Sequence, residues 1–446
     1  MKTILLLEDN DQRIAGFQKA VAGWGGGCEL KIWRDAPSMV AGMVDYFSTA
    51  ALISLDHDLN PQPGATSDPG TGMEVAQFLA DFLPACPVLI HSTNTDRVYS
   101  MLNELRFAHW RVDRVGPLGE DWIETTWARR AREWMAEHSN TWPAHLPLDH
   151  EERVKRMKLS LDGLGLGDAL GEMFAYQCAS APQRLAVNDL PPGPWQHTDD
   201  TEMAISICAV LQHHGELNQD ALARRFARRF ERDPDRGYGS MTRIQLREIN
   251  AGAEWRETAA SAFGGQGSMG NGGAMRVAPL GAYFADDLDQ CAEAARASAL
   301  VTHTHPEGVA GTIAVALAAA TSWQLRRVAG ADYARQFFAE ILRHTPESQV
   351  RQGILRASQT PAETSCPVVS KILGNGSLVT APDTVPFCLW MAAHHPRQLA
   401  TAVGNTISVD GDCDTNAAIV GGIVALGTGR DGLPTDWLER RERFQI

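Results

Sequence analysis

Two acidic clusters in the second half of the sequence put more negative charge in one place than a fold tolerates without a counter-ion. The first is His197-Thr198-Asp199-Asp200-Thr201-Glu202-Met203, and the second is Asp410-Gly411-Asp412-Cys413-Asp414-Thr415-Asn416. Each stands directly before an apolar stretch of helical character. Taken singly, either reads first as a helix cap, because Thr and Asp are preferred N-caps and negative charge is favoured at the positive helix end. Adjacent Asp199 and Asp200 exceed what a cap needs. So does Asp412-x-Asp414, whose spacing in an extended loop aims both carboxylates the same way. Carboxylates packed together call for a cation, and an oxygen-only donor set selects a hard one, Mg²⁺ or Mn²⁺.

Other segments have the chemistry of anion binding and proton transfer. The run 264–273 is rich in glycine, which lets backbone N–H groups close around a phosphate; a plain flexible loop is the alternative. His303 precedes an apolar helix, where a lone His is more often structural. Gly374-Asn375-Gly376 suits a ligand loop or a helix–helix turn equally well. Arg224, Arg225, Arg228 and Arg229 surround Phe226 and Phe230 as an amphipathic surface helix would. Near the N-terminus, Leu5-Leu6-Leu7-Glu8-Asp9-Asn10 and Ile53-Ser54-Leu55-Asp56-His57-Asp58 each end a strand-like run in acids, and His91-Ser-Thr-Asn94 ends another in His. Two His facing one acid-lined pocket suit general acid–base work on a phosphodiester.

The elements that must position these groups fall into two textures. Residues 1–138 alternate strand-like and helix-like segments, which predicts a parallel α/β sheet with helices on both faces and ligands beyond the strands' carboxyl ends. The strands are expected at 3–7, 30–33, 51–55 and 88–91. The helices are expected at 12–21, 37–47, 72–82, 96–105 and 120–137. Residues 139–152 are proline-bearing and aperiodic, a linker. Residues 153–446 read as an all-α domain, with helices at 201–213, 220–230, 288–301, 308–328, 333–344 and 386–394. The 446 residues suit two domains. The net charge of −14 excludes general nucleic-acid binding, which needs Lys and Arg to displace counterions. The best apolar run, 309–321, is too short for a bilayer. The eight cysteines are dispersed without a C-x-x-C pair, which points to a reduced, cytoplasmic protein, with Cys208 and Cys388 as core thiols.

From about Leu159 to Leu426 the sequence resembles the ADP-ribosylglycohydrolase family, which includes the dinitrogenase-reductase-activating glycohydrolases. Six motifs occur in the family's order. They are Gly163-Leu-Gly-Leu-Gly-Asp168-Ala-Leu-Gly171, Thr198-Asp-Asp-Thr201, Gly267-Ser-Met-Gly-Asn271-Gly-Gly-Ala-Met-Arg276, Thr302-His303-Thr-His305-Pro-Glu307, Gly374-Asn-Gly-Ser377 and Gly411-Asp-Cys-Asp-Thr415. The resemblance implies a compact all-α fold around two Mg²⁺ ions. Thr198, Asp199, Asp200 and Asp414 would hold one ion; Asp412 and Thr415, with Asp414 bridging, would hold the other. It assigns Ser268, Gly270, Asn271 and Gly272 to the diphosphate and distal ribose, His303 to substrate contact, and the 374–376 loop to the adenosine end. Two positions depart from the pattern. The family's Glu seven residues after the motif Asp is Ala175 here, with Glu172 the substitute on roughly the same helix face. Asp410 stands where many members carry Gly.

Residues 1–120 resemble the response-regulator receiver, a flavodoxin-like fold, with Glu8, Asp9 and Asp56 matching its Mg²⁺-holding acids. The receiver's Lys before Pro is absent from Val112-Asp-Arg-Val-Gly-Pro117, while His57 and His91 appear. In this it is similar to a receiver-derived group proposed to process cyclic phosphates. The expected function is a magnesium-dependent hydrolase cleaving the bond at the anomeric carbon of the distal ribose of ADP-ribose, or of a phosphorylated or cyclic-phosphate derivative. Glu172, Asp412, Asp414, His57 and His91 are its expected catalytic residues, and the first domain processes a cyclic phosphate. The alternatives are a protein de-ADP-ribosylase with a regulatory receiver-like module and a non-catalytic ADP-ribose sensor, the latter motivated by Ala175. The partners expected are ADP-ribose, a small molecule derived from it or an ADP-ribosylated macromolecule, and no membrane.

Overall fold

The computed structural model describes all residues except 1, 26, 63, 65–66, 83, 109, 138–145, 329 and 445–446. It divides into two compact units, Met1–Leu146 and Pro147–Ile446. The first half of the expected linker, 139–145, lies outside the described residues. Its last three positions, 150–152, are already helical, because the first helix of the second unit starts at His150.

In the first unit, strands β1 (Lys2–Leu7), β2 (Cys28–Trp33), β3 (Ala50–Leu55), β4 (Val88–Ile90) and β5 (Val112–Arg114) form one parallel sheet in the order 2-1-3-4-5. Helices α1 (Asp11–Ala22), α2 (Ala36–Gly42), α3 (Gly72–Leu79), α4 (Thr95–Phe107) and α5 (Ala128–Glu137) connect and cover it. Ile4–Leu7 and Leu52–Leu55 are unbroken buried runs because β1 and β3 are central and covered on both faces. β2, at the edge, is only half buried. The strand order reverses between β1 and β3, so the crevice beyond their carboxyl ends is the expected ligand site, and Glu8 and Asp56 are the first residues past those ends. Two expected helices are interrupted. The one at 37–47 stops at Gly42 and continues as a tighter turn, Met43–Tyr46, where Gly42 leaves helical geometry beside the Trp33 indole. The one at 120–137 begins as a wider-wound turn at Ile123–Trp127.

The second unit is helical throughout its named elements. Its axis is α6 (His150–Phe174), which crosses the Cys413–Thr428 helix antiparallel and very closely. Gly163, Gly167 and Gly171 recur every four residues on one face of α6. A Cβ on Gly167 would lie 1.9 Å from the Ala417 carbonyl oxygen, and one on Gly171 would lie 2.4 Å from that of Cys413. The glycine spacing is therefore a backbone-to-backbone seam. It holds Asp168 and the acidic 410–416 segment at the same end of the crossing.

The Pro306–Gln324 helix is buried on every side, as its all-round apolar sequence requires. No helix among the described residues is long and apolar enough to cross a membrane. The helix expected from Pro386 begins earlier, at Ala381, because Pro382 already occupies the first turn and Pro386 is carried inside it. The arginine stripe is not simply a solvated face. Arg225 is buried and the Arg229 Nε donates to Glu202 Oε2 at 2.5 Å.

Candidate active site

Asp168 organises the acidic end of the crossing. Its Oδ1 accepts from the Thr198 backbone N–H (3.0 Å) and hydroxyl (2.8 Å), and its Oδ2 from the Thr201 N–H (3.1 Å) and hydroxyl (2.5 Å). One carboxylate from α6 thus caps the Asp199–His214 helix in trans, satisfying donors that a helix start leaves open. That frees Asp199 and Asp200 from capping. Glu202 is held apart from them by His197 (2.9 Å) and Arg229, which bring its carboxyl down to about 2 against the cost of burial.

Asp199 and Asp200 face Asp412 and Asp414 across a cavity of about 500 Å³, within the range of small-molecule sites. Burial, then the charge of Asp414, pushes Asp168 up to about 6 and Asp412 up to about 7, and raises Asp199 and Asp200 well above the carboxylate range. Asp200 Oδ1 is buried and has no hydrogen-bond partner among the described residues. A crowded all-oxygen donor set with an orphaned carboxylate oxygen fits a hard divalent cation. Asp412 is fixed from two sides. Its Oδ2 accepts from Asn271 Nδ2 at 2.6 Å, and its N–H donates to the Asn375 carbonyl at 3.2 Å. The Gly374–Gly376 loop therefore buttresses the acidic turn, and Leu378, Val379 and Thr380 just beyond it line the cavity.

Ser268, Gly270, Asn271, Gly272 and His303 all line the same cavity. The glycine loop enters through left-handed backbone at Phe263, Gly264 and Gly265, which leaves the Phe263 ring largely exposed at the cavity wall. His303 is neutral: burial and the neighbouring Arg276 bring it down to about 3. Thr302 Oγ1 accepts from Arg276 Nη2 (2.9 Å) and shares a hydrogen bond with His303 Nδ1 (2.7 Å), to which we assign the hydroxyl proton. That assignment leaves Nε2 as an N–H donor beside Gly270 and Gly272.

Glu172 is solvent-exposed and is not among the cavity-lining residues, although burial of its carboxyl and the charge of Asp414 raise its pKa. If it is the proton acceptor that replaces the Glu missing at Ala175, Glu172→Gln lowers kcat by roughly 10² or more while ADP-ribose binding changes little. Steady-state kinetics beside calorimetry reads this. Equal losses in both would make Glu172 a positioning residue, and no loss would remove it from the chemistry.

The raised acids also fix a pH dependence. Their native pKa values exceed the unfolded value of 3.8, so the native state holds more protons than the unfolded chain. Their contribution to metal-free stability is full below about pH 4 and is lost as pH rises through about 6 to 7. Glu202 acts oppositely, but only below its unfolded value of 4.5. The melting temperature of chelated protein is expected to fall between about pH 5 and pH 8, and Mg²⁺ to restore more of it at the higher pH. A flat or rising metal-free curve would contradict the clustering.

In the first unit, ligand oxygens of Glu8, Asp9 and Asp56 lie within 4.8 Å of one another. The donor set suits one hard cation, and Arg13 neutralises part of it, at 3.1 Å from Asp56 and 3.6 Å from Glu8. Asp9 Oδ2 accepts from Asn60 N–H and Nδ2. The two His do not share the pocket's surface. His91 is fully buried between Ser54 Oγ (2.8 Å) and Glu8 Oε2 (3.4 Å), with Trp127 Nε1 donating to the same Ser54. A strand-end His inside a doubly covered sheet turns inward, so His91 braces Glu8 from behind. His57 Nδ1 pairs with Asp58 Oδ1 at 2.8 Å, and Asp58 accepts from Ser92 and Asn94.

Asp168 and Arg276 stand in the sequence motifs without a role, and Phe263 is missed altogether. The signal for Asp168 was its place directly after Gly167, the second glycine of the seam. For Phe263 it was a bulky residue opening a glycine run.

Residues 149–446 match the family model described as ADP-ribosylglycohydrolase. The mouse and human proteins named ADP-ribosylhydrolase ARH3 are each 28% identical over 337 residues, covering 66% of this chain and 89% and 90% of theirs. A solved structure titled ADP-ribosylglycohydrolase-related protein complex is 24% identical and covers 66% of this chain and 94% of its own, with a TM-score of 0.47. A response regulator receiver domain from Rhodospirillum rubrum is 16% identical and covers 31% of this chain and 96% of its own, with a TM-score of 0.24. The family model spans the whole helical unit and the cavity between its two acidic helix starts, and the chain belongs to the ADP-ribosylglycohydrolase family, a hydrolase of ADP-ribose linkages.

Proposed function

We propose that the second unit is a magnesium-dependent hydrolase that cleaves at the anomeric carbon of the distal ribose of ADP-ribose or of a phosphorylated or cyclic-phosphate derivative, and that the first unit opens the cyclic phosphate. The observation that carries the reading is the buried carboxylate cluster, with its orphaned Asp200 oxygen, beside a glycine loop and a neutral His303. Thr198, Asp199, Asp200 and Asp414 would hold one ion, and Asp412, Thr415 and Asp414 the other. When bound, such a pair supplies charge for ribose hydroxyls and a water of lowered pKa.

The chain's own groups do the rest. Backbone N–H groups of the 267–272 loop and the His303 Nε2–H bind the diphosphate, and Asn271 fixes Asp412 through its amide. Phe263 walls off the cavity from water. Glu172, whose pKa is raised by burial and by the charge of Asp414, would serve as the proton acceptor from outside the cavity lining. In the first unit, Glu8, Asp9 and Asp56 would hold one ion, Asp58 fixes the His57 tautomer so that Nε2 is the basic nitrogen, and His91 positions Glu8.

The substrate panel tests this with the full chain: ADP-ribose 1″,2″-cyclic phosphate, ADP-ribosyl-arginine peptide and ADP-ribosyl-serine peptide. Consumption of the cyclic phosphate in preference to both peptides supports the reading. Preference for a peptide would make the protein a de-ADP-ribosylase with a regulatory first unit. Tight binding of ADP-ribose without turnover of any of the three would make it a sensor.

A further inference from the structure

Two thiols and a carboxylate converge from two segments far apart in sequence, the turn after α6 that carries Cys178 and the acidic turn that carries Asp410 and Cys413. Cys178 Sγ lies 3.4 Å from Cys413 Sγ and 3.7 Å from Asp410 Oδ1. One donor atom from each of the three lies within 4.8 Å of the others. We infer that Cys178, Cys413 and Asp410 form a second, soft-metal site of zinc type, chemically separate from the all-oxygen magnesium cluster.

The spacing favours coordination over a bridge. A disulfide needs sulfurs about 2.05 Å apart. A tetrahedral zinc with bonds of about 2.3 Å to sulfur and 2.0 Å to oxygen places two sulfurs roughly 3.7 Å apart, and a sulfur and an oxygen roughly 3.5 Å apart. The observed separations are within a few tenths of these. The surroundings are electronegative as well. Cys178 Sγ approaches the carbonyl oxygens of Phe174 (3.4 Å) and Ala175 (3.3 Å) at the end of α6. Cys413 Sγ approaches that of Ile407 (3.7 Å) at the end of the Leu399–Ile407 helix. In the metal-free protein the thiols donate to these carbonyls and burial raises the pKa of Cys413, so an ion bound here must displace the thiol protons.

Asp410 is exposed and holds a left-handed backbone (φ 63°) that few non-glycine residues adopt. Its carboxylate has an identified neighbour in Cys178, so the acid that departs from the glycine of many family members is placed on the thiols. Thiolates select zinc over magnesium, so the two sites need not compete for one ion. Cys413 lies between Asp412 and Asp414, so an ion held here would fix the turn that carries both.

The full chain, reduced and metal-free, is titrated with Co²⁺ in excess Mg²⁺, which occupies the oxygen sites. The expected result is one Co²⁺ with a thiolate-to-cobalt charge-transfer absorption, displaced by Zn²⁺ with release of thiol protons. Cys178→Ser is expected to abolish that absorption and to weaken Zn²⁺ binding by roughly 100-fold or more, beyond what loss of an outer-shell partner costs. Asp410→Asn, at an exposed position where folding is not at stake, is expected to weaken it by roughly 10-fold. Wild-type protein without the charge-transfer band, a band that survives Cys178→Ser unchanged, or recovery of a Cys178–Cys413 disulfide peptide from protein kept under reductant would each overturn the inference. Cobalt at an oxygen-only site gives no thiolate band, so the outcome does not depend on the magnesium reading.

Discussion

Asp414→Asn and Asp412→Asn are each expected to abolish release of ADP-ribose, with a loss of well over roughly 100-fold, the upper range for removing even an outer-shell metal partner. Asp414 is the hub. Its charge raises the pKa of Asp168, Asp199, Asp200, Asp412 and Glu172. Replacing it with the isosteric amide removes a ligand and also relieves that repulsion. The variant should therefore be inactive yet melt higher than wild type in the absence of Mg²⁺, and should lose most of the Mg²⁺-induced rise in melting temperature. Ordinary damage to the fold would move activity and metal-free stability down together. An Asp414→Asn protein with near-normal turnover at low Mg²⁺ would show that the carboxylate cluster is not the metal site.

The second large effect belongs to the first unit. With the glycohydrolase silenced by Asp414→Asn in the full chain, His57→Ala is expected to slow opening of ADP-ribose 1″,2″-cyclic phosphate by roughly 10²–10⁴ if its imidazole serves as acid or base. The motivating geometry is the carboxylate–imidazole pair, Asp58 to His57 at 2.8 Å, next to the Glu8, Asp9 and Asp56 cluster. His91→Ala should behave differently. Loss of the brace on Glu8 should chiefly weaken the Mg²⁺ dependence, raising the concentration needed for half-maximal rate. A first unit that binds Mg²⁺ but opens no cyclic phosphate would leave it a binding module.

The sequence was most legible where one force acts alone. The continuous apolar runs of β1 and β3 could only be covered central strands, and the apolar stretch before Gln324 could only be a buried helix. The acidic clusters announced a cation because repulsion between carboxylates does not depend on the surrounding fold. Legibility failed where tertiary contact decides. His91 looked like a pocket residue by its place at a strand end, but only the packing of Trp127 and Ser54 shows that it turns inward. Asp168 looked like part of a glycine motif, and its role as a trans cap depends on where α6 meets the Asp199–His214 helix. The four-residue glycine spacing was visible, but its partner helix, some 250 positions later in the chain, was not. Asp410 could be read as spare charge; its thiol neighbours come from a turn that no local pattern predicts.

The central claim is that the carboxylates gathered by Asp168 and the glycine seam act only when they hold a divalent ion. The most direct test is ADP-ribose release by chelator-stripped full-length protein as Mg²⁺ is added back in steps. The account predicts no measurable release before addition, recovery of full activity as Mg²⁺ saturates, and no recovery in Asp414→Asn at any concentration. Sustained release by the stripped wild-type protein with chelator still present would contradict it.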